Sequence, residues 1–415
     1  MTQELDDLSQ RYVELGFGIE RHNAGTVDAW FGPPTLRDDA LSGPLPSPAD
    51  LLDRAASLLA DAASSELAPS RTDFLTAQVR ALHTTCRKLN GEDIPYRDEV
   101  RLCFDIEPVQ TPTSVYDEAI AALGDTLPGE GEIASRMIAW RTQFEIPIDT
   151  ARLMIETIAG EARLRSSTFA PLPDGEGIEI AMVSNKPWSG YNWYLGNGRS
   201  LIEINTDLPI RANALLDLVC HEGYPGHHTE HAIKEQRLFR EQGFGEHSIQ
   251  LINTPECVIS EGIATLAESI VFTPEEAASW RQEYLYLPAG IAVDPARERQ
   301  IAGAQRALTS VAGNAALLLH DVGVAEDDVV EYIVRYGLET PERARRRLSF
   351  IGDPLWRAYV FTYHVGYDLL GAWLDTPEDS GTAVEEADTQ ARRRERFARL
   401  LADQVTPSAI LSQLA

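Results

Sequence analysis

The string His221-Glu222-Gly223-Tyr224-Pro225-Gly226-His227-His228 concentrates the residue types able to do chemistry. Of nine histidines in 415 residues, four (His221, His227, His228, His231) fall within one eleven-residue window, and Glu222 directly follows the first. Neutral imidazole is the commonest protein ligand for zinc, and a carboxylate beside a ligand can act as base toward an activated water. The cluster therefore points to a zinc-dependent hydrolase with Glu222 as general base. The blander reading is a solvated polar stretch beside a Pro-Gly turn. It leaves the pairing of clustered histidines with an adjacent glutamate unexplained.

The spacing is unusual. In H-E-x-x-H, two histidines at i and i+4 share a helix face and grip one ion. Here Pro225 occupies the i+4 position, and the next histidines come at i+6 and i+7. On a regular helix i+7 returns to the starting face about 10.5 Å along the axis, too far for one ion. Proline inside a helix removes a hydrogen bond and distorts it. Pro225-Gly226 is expected to insert a bulge that swings His227 into the second ligand position. His228 would sit behind His227 or exchange roles with it. His227 and His231 also form a regular i, i+4 pair, an alternative grip.

An open zinc site usually takes three protein ligands, often two histidines and a glutamate. Downstream, Thr254-Pro255-Glu256 is a helix start, with N-cap, proline in the first turn and an acid at the positive end. In the helix that follows, Glu261 lies among Val258, Ile259, Ile263, Ala264 and Leu266. A carboxylate buried there is costly unless paired or metal-bound. Glu261 is the expected third ligand. Glu268, seven residues on and on the same face, is expected to hold a histidine N–H from behind. The alternative is that both are ordinary acids on a partly exposed helix. Gly262 and Ala264 leave room for another backbone to come close.

HEGYPGHH followed by SEGIATLAE resembles the bacterial family called domain of unknown function 885, whose members carry HExxPGHH and a later E-G-W-A-x-Y-A-E-like stretch. That family is similar to the gluzincin metallopeptidases, mostly helical enzymes with a catalytic helix pair beside a small sheet. The resemblance implies zinc held by His221, one of His227 or His228, and Glu261, with Glu222 as base. Ile263 and Leu266 stand where the family has tryptophan and tyrosine. The family's late Tyr-x-x-Gly pattern looks like Tyr363-His364-Val365-Gly366. The resemblance covers roughly residues 150–370 and supplies a site more firmly than a substrate.

The late segment Trp356–Tyr367 places Tyr359, Tyr363 and Tyr367 on one helical stripe. Such stripes are more often core than catalytic. With the resemblance, Tyr363 and His364 are the candidates to steady an oxyanion. Arg345-Arg346-Arg347 reads as a solvated or acid-paired face, with a peptide's carboxylate terminus as an alternative partner.

These residues need elements to position them. Helical signals cover roughly 4–22, 48–66, 70–89, 113–124, 130–143, 148–164, 255–271, 274–285, 294–319, 325–336, 341–350, 354–374 and from 377 onward, with Pro/Gly-rich loops at 32–48 and 171–177. Gly177–Val183 is β-rich. Asn192–Leu195, a Gly196-Asn197-Gly198 turn and Ser200–Asn205 read as a hairpin. The expected fold is mainly α: a large helical zincin-like fold with a small antiparallel sheet beside the active-site helix. Residues 1–150 would form one wall of a cleft and 151–415 the catalytic region. A sheet edge can hold an extended peptide, with Asn205 or the Trp193–Tyr194 pair lining the cleft.

Composition bounds the rest. A hydrophobic content of 44% and a charged content of 24% are those of a globular chain. A net charge of −28 disfavours nucleic acid and anionic membrane as partners. The four cysteines make no framework spacing, and Cys220 is expected to pack rather than ligate. No signal-peptide pattern and no run of eighteen apolar residues occurs, so a cytoplasmic location is expected. The expectation is a zinc peptidase acting on short peptides. The alternatives are a metal-dependent amidase with a non-peptide substrate, or a non-catalytic binding protein that keeps the scaffold.

Overall fold

A computed structural model describes residues 5–186, 188–377 and 386–414. The structure is 65% helical, and the sheets among the described residues have only two or three strands, so helix packing builds the core. The first strands to matter are β1 (Val27–Trp30), β2 (Glu145–Ile146), β3 (Gly177–Val183), β4 (Gly190–Gly196), β5 (Arg199–Asn205), β6 (Ile210–Arg211) and β7 (Ile249–Leu251). β1 pairs with β7 and β2 with β6, both antiparallel. The third sheet has the order β3-β5-β4. Its β4–β5 hairpin is antiparallel, with Asn192 opposite Ile202 and Trp193 opposite Leu201. Asn197 and Gly198 turn it at positive φ (55° and 65°), the conformation for which such dipeptides are preferred. β3 adds parallel to β5, leaving β4 as the edge nearest the histidine cluster.

Most helix starts follow the sequence signals. Thr273 closes a capping box with Glu276, and Thr340 caps Pro341–Gly352 through the Arg343 N–H. The segments 294–319 and 354–374 are shorter and broken, into Pro295–Arg306 and Val311–Leu317, and Phe361–Asp375. The loop at 32–48 contains a short helix, Pro34–Leu41, and Tyr96–Phe104 is a helix without a strong sequence signal. The start of the helix expected from 377 lies outside the described residues, which pick up a helix at Glu386–Ala402.

Four helices frame the cluster: the HE helix Ala212–Glu222, the His helix His227–Lys234, the Glu261 helix Pro255–Val271 and the tyrosine helix Phe361–Asp375. Twelve of the seventeen residues of the Glu261 helix are buried, which makes it a core element. It meets the tyrosine helix at backbone distance. A Cβ on Gly262 would stand 2.7 Å from the Gly366 carbonyl oxygen, and one on Gly366 would stand 2.5 Å from that of Val258. No single helix among the described residues is long and apolar enough to cross a membrane. All four cysteines are free and buried.

Candidate metal and catalytic site

The HE helix ends at Glu222 and a new helix begins at His227. Residues 223–226 are thus a break between two helices and not the bulge expected within one. The Tyr224–Pro225 peptide is cis. Gly226 is required by space: a Cβ there would lie 1.9 Å from the His221 carbonyl oxygen and 2.5 Å from that of Cys220. Only a residue without a side chain lets the second helix start against the end of the first. This break, rather than helical periodicity, brings His227 to His221, with ring centroids 4.8 Å apart and planes at 88°.

Glu261 completes the group. Its Oε2 lies 3.6 Å from His221 Nε2 and 3.9 Å from His227 Nε2. Ligand atoms of all three residues fall within 4.8 Å of one another. Two atoms each 2.0–2.1 Å from a tetrahedral zinc would stand roughly 3.3 Å apart, so little movement is needed. Glu261 Oε1 accepts a 2.8 Å hydrogen bond from the Tyr359 hydroxyl, while buried Oε2 has no hydrogen-bond partner. Burial holds both imidazoles neutral, helped by His227 at His221 and by His231 at His227, which is brought down to about 4 against the opposing pull of Glu230. Two neutral nitrogens and an orphaned carboxylate oxygen form a donor set that fits zinc.

The acids nearby also lack a compensating positive charge. Burial pushes Glu222 up to about 8, helped by Glu261, Asp217 and Asp28. It pushes Glu261 to about 8 as well, where the Tyr359 hydrogen bond opposes it and Glu230 and Asp28 add to it. Asp28, from β1, rises to about 6 by burial, against a hydrogen bond from the Tyr191 hydroxyl. A divalent cation would relieve all three.

His227 is oriented from behind. Its Nδ1 is 3.0 Å from Ser260 Oγ, which donates at 2.5 Å to Glu230 Oε2. Glu230 also takes Lys234 Nζ at 2.7 Å. With the serine proton committed to Glu230, Nδ1 is the donor, and the lone pair on Nε2 faces Glu261. The regular pair His227–His231 is the weaker grip. Its carboxylate, Glu230, is already bonded, and His231 Nδ1 is 2.6 Å from Gln250 Nε2.

The remaining candidates lie elsewhere. His228 is turned about 100° from His227 and fully buried, with Nδ1 2.8 Å from Ser200 Oγ and Nε2 2.9 Å from Glu176 Oε2. Glu176 also accepts from the Tyr224 hydroxyl at 2.5 Å and Arg163 Nε at 2.7 Å, so it anchors the interhelix loop. Glu268 makes its ion pair with Arg281 and not with a histidine; a residue seven positions from Glu261 shares its face but sits about 10.5 Å further along. His364 packs against Phe361 and the Gly313 backbone. Adjacent helical residues point about 100° apart, so Tyr363 and His364 do not face one place. Tyr363 is 39% exposed, and its surroundings, with Glu261 and Glu222, keep its phenol protonated.

β4 passes over Glu222. A Cβ on Gly190 would come within 3.3 Å of Glu222 Oε1, and Asn192 Nδ2 donates at 2.6 Å to the Glu222 carbonyl. Asn205 is committed to the carbonyls of Lys186 and Trp188, both at 2.9 Å, and the Tyr194 hydroxyl to Glu235. Tyr191, its ring tilted against that of Trp193, is kept protonated by burial and then by Asp28, with Glu222 adding to it. Sequence reasoning missed Ser260, Glu230, Asp28 and Tyr191. Only Ser260, next to Glu261, carried a local signal. It singled out Tyr359 as part of a stripe but not as the partner of Glu261.

No protein-family model matches the chain, and no curated protein matches it. Among solved structures it is similar to a "putative lipoprotein" from Colwellia psychrerythraea, 14% identical, with a TM-score of 0.52 over 88% of this chain and 66% of that one. It is also similar to a "putative lipoprotein of unknown function" from Shewanella oneidensis, 11% identical, with a TM-score of 0.50 over 99% of this chain and 83% of that one. At these identities the likeness is one of fold. The chain spans just under two thirds of the length of the Colwellia protein.

Proposed function

We propose that this chain is a zinc-dependent hydrolase that cleaves peptide or amide bonds in short substrates. The observation that carries the reading is the buried His221–His227–Glu261 group with an unpartnered Glu261 Oε2, next to Glu222. The resemblance of HEGYPGHH to a zincin-like family supports it. Zinc held by these three residues would supply Lewis-acid polarisation of the scissile carbonyl and acidify water.

The chain's own residues do the rest. Glu222, buried under β4, takes the proton of the attacking water and returns it to the leaving amine. The Tyr363 hydroxyl, protonated and partly exposed, donates to the oxyanion. The β4 edge offers main-chain groups to an extended substrate.

The test is a peptide-mixture digest with zinc, with and without chelator. Glu222→Gln should lose about 10²-fold or more of the turnover while keeping its zinc. Turnover unchanged in Glu222→Gln would overturn the reading.

A further inference from the structure

The chain carries 64 acidic and 36 basic residues, yet four arginines converge on one place. A cavity of about 310 Å³ is bounded by Tyr363, Arg141, Arg347 and Glu339, at the small end of the range for ligand sites. A smaller one of about 130 Å³ shares Arg141 and Glu339 with it and adds Arg211, Arg343 and one further carboxylate, Glu145. Three elements supply the arginines: the helix Ile133–Thr142, strand β6 and the helix Pro341–Gly352.

Arg347 pairs with Glu339 at 2.5 Å. Among the described residues, Arg141, Arg211 and Arg343 make no ion pair. Glu339 acts on Arg141 and Glu145 on Arg211 only from further off. Burial, and then Arg211, Arg343 and Arg347, brings Arg141 down to about 10. Half-buried guanidinium groups without partners are costly, and their donor fork matches a carboxylate. Tyr363 belongs to both places: it lines the larger cavity and feels Glu222 and Glu261.

We propose that these two adjoining cavities, joined at Arg141 and Glu339, bind a carboxylate of the substrate on Arg141, Arg211 and Arg343, so that the chain selects short acidic peptides or amides. The inference rests on the hydrolase reading, since it uses Tyr363 as the link to the reacting bond. The carboxylate is either the free end of the main chain or an aspartate or glutamate side chain.

Calorimetry on the full chain in chelator, so that nothing is cleaved, separates these sources. The probes are acetyl-Ala-Ala-Ala, its C-terminal amide, and acetyl-Ala-Ala-Glu-amide. The free acid should bind about tenfold or more tighter than its amide. Arg141→Gln and Arg343→Gln should abolish that difference. Arg141→Lys, which keeps charge without the fork, should retain part of it. Arg345→Gln, exposed and paired with Asp327, should leave it unchanged. Tight binding of the glutamate amide would identify the side chain as the source. Equal binding of acid and amides, or indifference to Arg141→Gln and Arg343→Gln, overturns the proposal. Turnover with zinc is read separately. Cleavage without preference for acids would leave the hydrolase reading standing and remove this site. Acid-selective binding with no cleavage of any peptide would do the reverse.

Discussion

At the scale of single residues, the site turns on which atoms are already engaged. His228 has both ring nitrogens committed, to Ser200 and Glu176, whereas His221 and His227 each direct Nε2 at Glu261. His221→Ala, His227→Ala and Glu261→Gln should therefore each abolish stoichiometric zinc by elemental analysis. His228→Ala should keep its zinc and lose about 1–3 kcal/mol of stability in urea unfolding, because Glu176 is left short of a partner. Equal zinc loss in His228→Ala would reject this assignment. Ser260 sets the His227 tautomer without touching the proposed cation site. Ser260→Ala should weaken zinc affinity about 10–100-fold in chelator competition. Affinity equal to wild type would mean that the Ser260–Glu230 chain does not orient the ring.

At the scale of elements, two glycine contacts decide how the helices meet. Gly226 lets the His helix abut the HE helix, and the Gly262–Gly366 contact seats the tyrosine helix on the Glu261 helix. The second contact also delivers Tyr359 to Glu261 Oε1. Gly366→Ala puts a methyl into the Val258 carbonyl, and the helices must separate. It should destabilise by about 1–3 kcal/mol and also weaken zinc binding, since Tyr359 lies in the turn that leads directly into this helix and shifts with its start. Gly371→Ala on the same helix meets only side chains, at 3.9 and 4.0 Å, and is the control for helix propensity. If both substitutions behave alike, the close contact is not what seats the helix. The hairpin and the capped helices were legible because their signals are local: an Asn-Gly turn, and Thr-Pro-Glu starts. Helix Tyr96–Phe104 was not, since it is short and its cap residue, Pro95, makes no side-chain cap bond.

At the scale of the whole molecule, one buried carboxylate ties distant parts of the chain together. Glu246 accepts from Arg71 Nε and Nη2 at 2.8 and 2.7 Å, from Ser9 Oγ at 2.8 Å and from Gln404 Nε2 at 2.8 Å. Burial opposes its charge, but Arg71 outweighs it and holds the carboxyl below its ordinary 4.5. A depressed folded pKa adds stability that is complete above the unfolded pKa and lost as pH falls through the folded one. Wild-type urea midpoints should therefore fall steeply below about pH 4.5, and Glu246→Gln should flatten that slope. Arg71→Ala, which strands the buried charge, should cost about 3–5 kcal/mol at neutral pH. An unchanged acid slope in Glu246→Gln would remove this carboxylate from the account.

The sequence alone determined the chemistry on offer and most of the helices. Residue types, the Pro-Gly interruption and local caps act over a few positions, so they can be read without a fold. It narrowed the candidate ligand set to His221, Glu261 and either His227 or His228, with the His227–His231 pair as the alternative grip, and went no further. Choosing between adjacent histidines needs the direction taken by a new helix, and that follows from Gly226 packing on the carbonyl of His221. The partners of Glu261, Glu268 and His228 lie 98, 13 and 52 residues away or come from other elements. Only tertiary packing brings Arg141, Arg211 and Arg343 around one cavity, because no local pattern links charges on elements that meet solely in the folded chain.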